Sequence, residues 1–147
     1  MFVVDTNVFS DAFKHLKFQS FKTFWIAFEN LIDQNKIISV REVYKELKGF
    51  FISSSKKNND EVSKWLVKHK RIFSTPTEKE CVTVREIFRE KHFRYLVKKQ
   101  SLLEGHPEAD AFVIAKAIAL NATVVTNEEY KENGSKIPNV CEKFGVK

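Results

Sequence analysis

Short apolar runs alternate with stretches of helical periodicity along this chain, and that alternation restricts its fold more than any other feature. Phe2-Val3-Val4 reads as a strand that stops at Asp5, followed by a helical start from Asn7 to His15. Phe21, Phe24, Trp25, Phe28, Leu31 and Ile32 recur at helical spacing between Ser20 and Gln34, an aromatic stripe that reads as core. Ile37 to Val40 reads as a second strand. Ser39 and Glu42 have the spacing of a capping box that opens a helix running to Phe50. Ser53 to Asp60 reads as a loop, Glu61 to His69 as a helix with Val62, Trp65 and Leu66 inward, and Arg71 to Ser74 as a third strand. Pro76-Thr77 opens another helix, in which Val82, Ile87 and Phe88 are apolar. A nearly all-apolar helix from Pro107 to Asn121, a fourth strand from Ala122 to Thr126 and a fifth from Ile137 to Cys141 complete the pattern, with a helical turn near Glu142 to Phe144. Strands separated by helices imply an α/β fold around a mainly parallel sheet.

The 147 residues suit a single domain, 1–147, and a hydrophobic fraction of 43% with 14 Phe supplies a sizeable core. A net charge of +6 favours a polyanionic partner. From Lys91 the chain turns basic, with Arg94, Lys98 and Lys99 interleaved with Phe93 and Tyr95, which reads either as an RNA-gripping patch with stacking rings or as a solvated helix face. Cys81 and Cys141 are too few for a disulfide framework and are not spaced for zinc, so a reduced, cytoplasmic setting is expected. The apolar start ends too soon for a signal peptide, and no run approaches the roughly 20 residues that cross a bilayer, so a soluble chain without a membrane partner is expected.

Four acids stand out by position. Asp5 ends a buried strand, where open α/β sheets place their ligand sites, although it could equally cap the following helix. Glu46 lies one turn beyond Glu42 on the same helix face, and taken alone reads as an exposed helical Glu. Asp110 opens the most apolar helix; with Lys116 as the solvent marker about 120° away, it faces inward, or else serves the helix dipole. Glu128 follows Val124-Val125-Thr126-Asn127 as Asp5 follows strand one, with a capping turn as the alternative. Carboxylates gathered at one sheet edge cannot all stay ionised without a counter-charge, and a hard cation, Mg²⁺ or Mn²⁺, supplies it. Such an ion activates water and neutralises charge on a phosphoryl group. Competing chemistries are missing from the sequence: it has only 4 Gly and no Gly-rich phosphate loop, no G-x-S-x-G and no histidines paired at ligand spacing.

In the segments Val3-Val4-Asp5-Thr6-Asn7, Val43-Tyr44-Lys45-Glu46-Leu47, Ala109-Asp110-Ala111-Phe112-Val113-Ile114-Ala115 and Val124-Val125-Thr126-Asn127-Glu128, the chain resembles the PIN domain, the ribonuclease fold of VapC-type toxins. The tail Lys136-Ile137-Pro138-Asn139-Val140-Cys141 is similar to a PIN-like subgroup of bacterial toxin–antitoxin operons. The resemblance implies a three-layer α/β/α sandwich whose five-stranded sheet runs in the order 3-2-1-4-5. It also implies a site of Asp5, Glu46, Asp110 and a fourth acid, supported by Asn7 and Thr126. Where PIN domains commonly carry Asp after the Thr, this chain has Asn127-Glu128-Glu129; the role goes to Glu128, with Asn127 the other candidate.

The function so implied is that of a metal-dependent endoribonuclease, the toxin of a type II toxin–antitoxin pair, which hydrolyses RNA phosphodiester bonds with metal-activated water. In that reading Asp5, Asp110 and Glu128 hold Mg²⁺ or Mn²⁺, Glu46 positions water or ligates, and Lys91, Arg94, Lys98 and Lys99 grip RNA. The partners are RNA, a cognate antitoxin and, in some relatives of this kind, a second copy of the chain. Its alternative is a non-catalytic PIN-like domain that binds RNA or protein. A phosphorylated receiver domain fits less well, because Ser74-Thr75-Pro76 follows strand three where a receiver needs its acceptor Asp.

Overall fold

The computed structural model describes residues 1–52, 60–96 and 109–147, with side chains for all of these but 94–96. Among the described residues, β1 (Phe2–Val4), β2 (Ile37–Val40), β3 (Phe73–Ser74) and β4 (Thr123–Val125) form a four-stranded sheet in the order β3-β2-β1-β4. Every pairing is parallel, with Val3 opposite both Ile38 and Val124, so the carboxyl ends of the strands share one edge. The helices are α1 (Thr6–His15), α2 (Lys22–Asp33), α3 (Arg41–Phe51), α4 (Asp60–Lys68), α5 (Glu78–Arg89), α6 (Ala109–Leu120) and α7 (Ile137–Phe144), with 3₁₀ turns at Lys70–Ile72 and Lys91–Leu96. The expected loop at 53–59 and the expected start of α6 at 107–108 lie outside the described residues. Among the described residues no helix is long and apolar enough to cross a membrane.

Phe9 and Phe13 of α1, Trp25 of α2 and Trp65 of α4 form an aromatic nest, with Phe13 and Trp65 edge to face at 5.2 Å between ring centroids. Each such ring pair adds about 1 kcal/mol beyond the area it buries. The stripe on α2 is wider than its buried face. Trp25 and Ile32 are buried and Phe28 and Leu31 pack partly, while Phe21 and Phe24 are exposed.

Three expectations are corrected. Ser39 and Glu42 form no capping box: the Ser39 hydroxyl donates to the Val4 carbonyl at 2.7 Å, tying β2 to β1, and Val40 is the N-cap of α3 without a side-chain bond. The box lies instead at Thr77 and Glu80, whose side chains each accept the other's backbone N–H. The fifth strand, Ile137 to Cys141, is the first part of α7. Pro138 has no N–H for a ladder and its fixed φ suits a first helical turn, and Ile137, Val140 and Cys141 fall at the helical spacing that buries all three. The edge of β4 is met by the tail, where the Val124 N–H donates to the Lys147 carbonyl at 2.7 Å.

The third correction concerns α6. Lys116 is no solvent marker: it is 6% exposed and its Nζ lies 2.8 Å from Oε1 of the equally buried Glu80 on α5. The helix is buried almost all round, from Ala109 through Ala117, so the position of Lys116 does not indicate where Asp110 faces.

Candidate active site

Asp5 follows β1 directly and is the N-cap of α1; its Oδ1 accepts the Thr6 N–H at 2.6 Å. Its Oδ2 accepts the Thr126 hydroxyl at 3.1 Å, from the end of β4. Asp5 is therefore both a cap and a member of a wider cluster. Its carboxyl is 2% exposed, and that burial pushes its pKa up to about 6; the two hydrogen bonds oppose the shift, and the charges of Glu128 and Glu46 add to it.

Glu46 is not an exposed helical Glu. Its Oε2 accepts the Thr6 hydroxyl at 2.5 Å and its Oε1 the Ala109 N–H at 3.0 Å. Ala109 opens α6, and the first N–H groups of a helix lack partners within it, so Glu46 supplies one. The same carboxylate thus holds the starts of α1 and α6 together. Asp110, half-buried in the first turn of α6, is the next residue.

Thr126 Oγ1 has every capacity used: it donates to Asp5 and accepts from Asn7 Nδ2 at 3.0 Å and from the Glu128 N–H at 3.1 Å. Asn7 Oδ1 in turn accepts the Asn127 N–H at 3.0 Å. The Asn127 side chain points elsewhere, donating to Asp11 Oδ2 at 2.7 Å, so it is Glu128 whose field reaches Asp5. Glu128 also holds local structure in place. Its Oε2 accepts the Ile137 N–H at 2.8 Å, capping α7, and its Oε1 lies 3.3 Å from Lys136 Nζ.

The geometry also gives parts to Thr6, Asp11 and Lys136, which sequence pattern alone does not single out. Asp11 has a signal, since it stands one helical turn beyond Asn7 on α1. Thr6 reads only as a turn residue, and Lys136 only as part of the tail.

Of the basic stretch, Lys91 and His92 are exposed, and His92 Nε2 lies 2.9 Å from the Gly134 carbonyl. Phe93 is 7% exposed and packs near Phe144, so it is core and not a stacking ring. The Arg94 and Tyr95 side chains and all of Lys98 and Lys99 lie outside the described residues.

Among the described residues, no group of three or more His, Cys, Asp or Glu side chains is arranged to hold a metal ion as it stands. The donor chemistry nevertheless suits Mg²⁺ or Mn²⁺: the acids at this edge offer only hard oxygens, and a divalent cation would offset both the burial that raises Asp5 and the smaller contributions of the Glu128 and Glu46 charges.

Comparison with known proteins gives a family by its model alone. Residues 2–147 match the family described as "Domain of unknown function (DUF4411)", and the chain belongs to that family. Neither a curated protein nor a solved structure matches it.

Proposed function

We propose that this chain is a PIN-like, metal-dependent endoribonuclease with a three-layer α/β/α architecture, and that it acts as the toxin of a toxin–antitoxin pair. The observation that carries the reading is the placement of Asp5: a buried carboxyl at the carboxyl edge of a parallel sheet, joined through Thr6 to Glu46 and through Thr126 to the Glu128 backbone. Burying acids this way costs stability, and a fold tolerates that cost where the acids serve chemistry.

In this reading Asp5 and Asp110 are the principal ligands of Mg²⁺ or Mn²⁺, Glu46 orients water or ligates, and Glu128 serves an outer position. A bound divalent ion supplies Lewis-acid activation of water and neutralises charge developing on the scissile phosphate. Thr6 and Thr126 fix the two oxygen edges of the cluster, and Asn7 keeps Thr126 aimed at Asp5. Lys91 and its basic neighbours grip the phosphate backbone, so RNA affinity falls steeply with added salt.

The test is RNA cleavage by wild type and Asp5→Asn, both confirmed folded, with and without Mn²⁺ or Mg²⁺. Metal-dependent cleavage lost in the variant supports the reading; cleavage that persists in the variant refutes the site. A second reading, a PIN-like domain that binds RNA or protein without cleaving, draws on Glu128 being engaged with Ile137 and Lys136. It requires that wild type cleave no RNA and that Asp5→Asn bind as wild type does.

A further inference from the structure

Next to the carboxylate cluster, Asn7 and Glu128 line an open cleft of about 540 Å³. Asp11, Glu129, Tyr130, Lys131 and Lys136 line it with them. The volume is of the size that takes a small organic group. Two features give the cleft a chemical preference.

Tyr130 is 57% exposed, yet its hydroxyl is hydrogen-bonded to Glu142 on α7. An exposed ring held at its far end is a ready surface for a planar group to stack on. The charge balance then decides which part of a nucleotide enters. Lys136 is paired with Glu128, which leaves Asp11 and Glu129 against Lys131, so the interior repels a phosphate. Asp11 has one oxygen committed to Asn127. Among the described residues, no hydrogen bond or ion pair engages the Glu129 carboxylate.

A carboxylate only accepts. Guanine presents N1–H and N2–H₂ side by side on its Watson–Crick edge, matching two carboxylate oxygens. Adenine and cytosine place an acceptor beside their single amino group, and uracil flanks its one N–H with two acceptors. We propose that this cleft is a subsite for one unpaired nucleobase of the RNA, stacked on Tyr130 and selected as guanine by Glu129, with Lys131 at the rim toward the backbone. The inference rests on the ribonuclease reading and names the feature of RNA that this site reads.

The test uses the full chain in EDTA, so that binding is read without cleavage, and fluorescence anisotropy of pentaribonucleotides that differ only in the central base of a uridine background. The guanine-centred RNA is expected to bind about tenfold tighter than the other three. Glu129→Gln, an exposed isosteric change, removes that preference because its amide sets a donor against donors. Tyr130→Ala weakens all four RNAs about tenfold, whereas Tyr130→Phe keeps the ring and most of the affinity. Equal affinities in wild type, a preference that survives Glu129→Gln, or full affinity in Tyr130→Ala would each overturn the subsite. Metal-dependent cleavage without base preference removes the subsite and leaves the ribonuclease reading intact; base-selective binding without cleavage does the reverse.

Discussion

Thr6 joins two acids that lie on different elements: its N–H donates to Asp5 at 2.6 Å and its hydroxyl donates to Glu46 at 2.5 Å. One residue therefore fixes the separation between the end of β1 and the inner face of α3. Thr6→Val keeps the shape and the N–H but leaves Glu46 with only the Ala109 N–H. The loss of a hydrogen bond to a carboxylate is expected to cost about 2 kcal/mol in chemical denaturation. Metal-dependent cleavage should fall further than that stability loss accounts for, and Thr6→Ser should restore both. A Thr6→Val protein with wild-type stability and cleavage would show that the link is incidental.

Asp5 carries the clearest pH dependence. Its folded pKa is raised to about 6 from an ordinary 3.8. The protonated form is therefore favoured by folding, and its contribution is fully present below the ordinary value and lost as pH rises through the folded one. The difference of about two pH units corresponds to about 3 kcal/mol. Asp5→Asn, which retains an N-cap acceptor for Thr6, is expected to be more stable than wild type at pH 8 and to lose that advantage by pH 4. Added Mn²⁺ should raise the melting temperature of wild type at pH 8 and leave Asp5→Asn unmoved. A variant less stable than wild type at pH 8 would mean that Asp5 is held ionised at no cost.

Glu128 offers a test that needs neither metal nor RNA. Its charge is one of the influences raising Asp5, while its Oε2 caps α7 through Ile137. Glu128→Gln can keep the cap through its amide oxygen and removes the charge. The Asp5 carboxyl carbon, followed by NMR against pH, should then titrate at a lower midpoint than in wild type. Glu128→Ala should lower the midpoint similarly but also cost about 1 kcal/mol of stability, because the Ile137 N–H loses its acceptor. An unchanged midpoint in both variants would place Glu128 outside the field of Asp5.

What the sequence made legible here follows from which signals are local. Strands β1 and β4 and the convergence of their ends could be read because a β-branched run ending in Asp5 or Thr126 carries its own boundary. The tail could be misread because Ile137 to Cys141 is too short a run for its helical spacing to stand out from a strand, and Pro138 decides between them. The parts played by Thr6 and Lys136 are set by partners elsewhere in the chain, Glu46 forty residues from the one and Glu128 eight residues from the other, and local pattern contains neither. Ser39 shows the opposite failure. Its capping signature was genuine in spacing, but a hydrogen bond to Val4 on the neighbouring strand claimed the hydroxyl.

Lys116 makes the same point energetically, since a lone charge on an apolar helix reads as solvent-facing until its partner is known. With Glu80 it forms an ion pair whose two side chains are 7% and 4% exposed, between α6 and α5. Such a pair adds little net stability, but removing one member strands the other. Lys116→Met is expected to destabilise by about 3–5 kcal/mol, as an unpaired Glu80 must be neutralised or exposed. The double variant Lys116→Met, Glu80→Gln should recover most of that loss, because Gln satisfies the capping box with Thr77 and carries no charge. Urea denaturation of wild type, Lys116→Met, Glu80→Gln and the double variant gives the coupling directly. If the double variant were as unstable as the single one, packing around the lysine stem, and not the stranded charge, would be what holds α5 against α6.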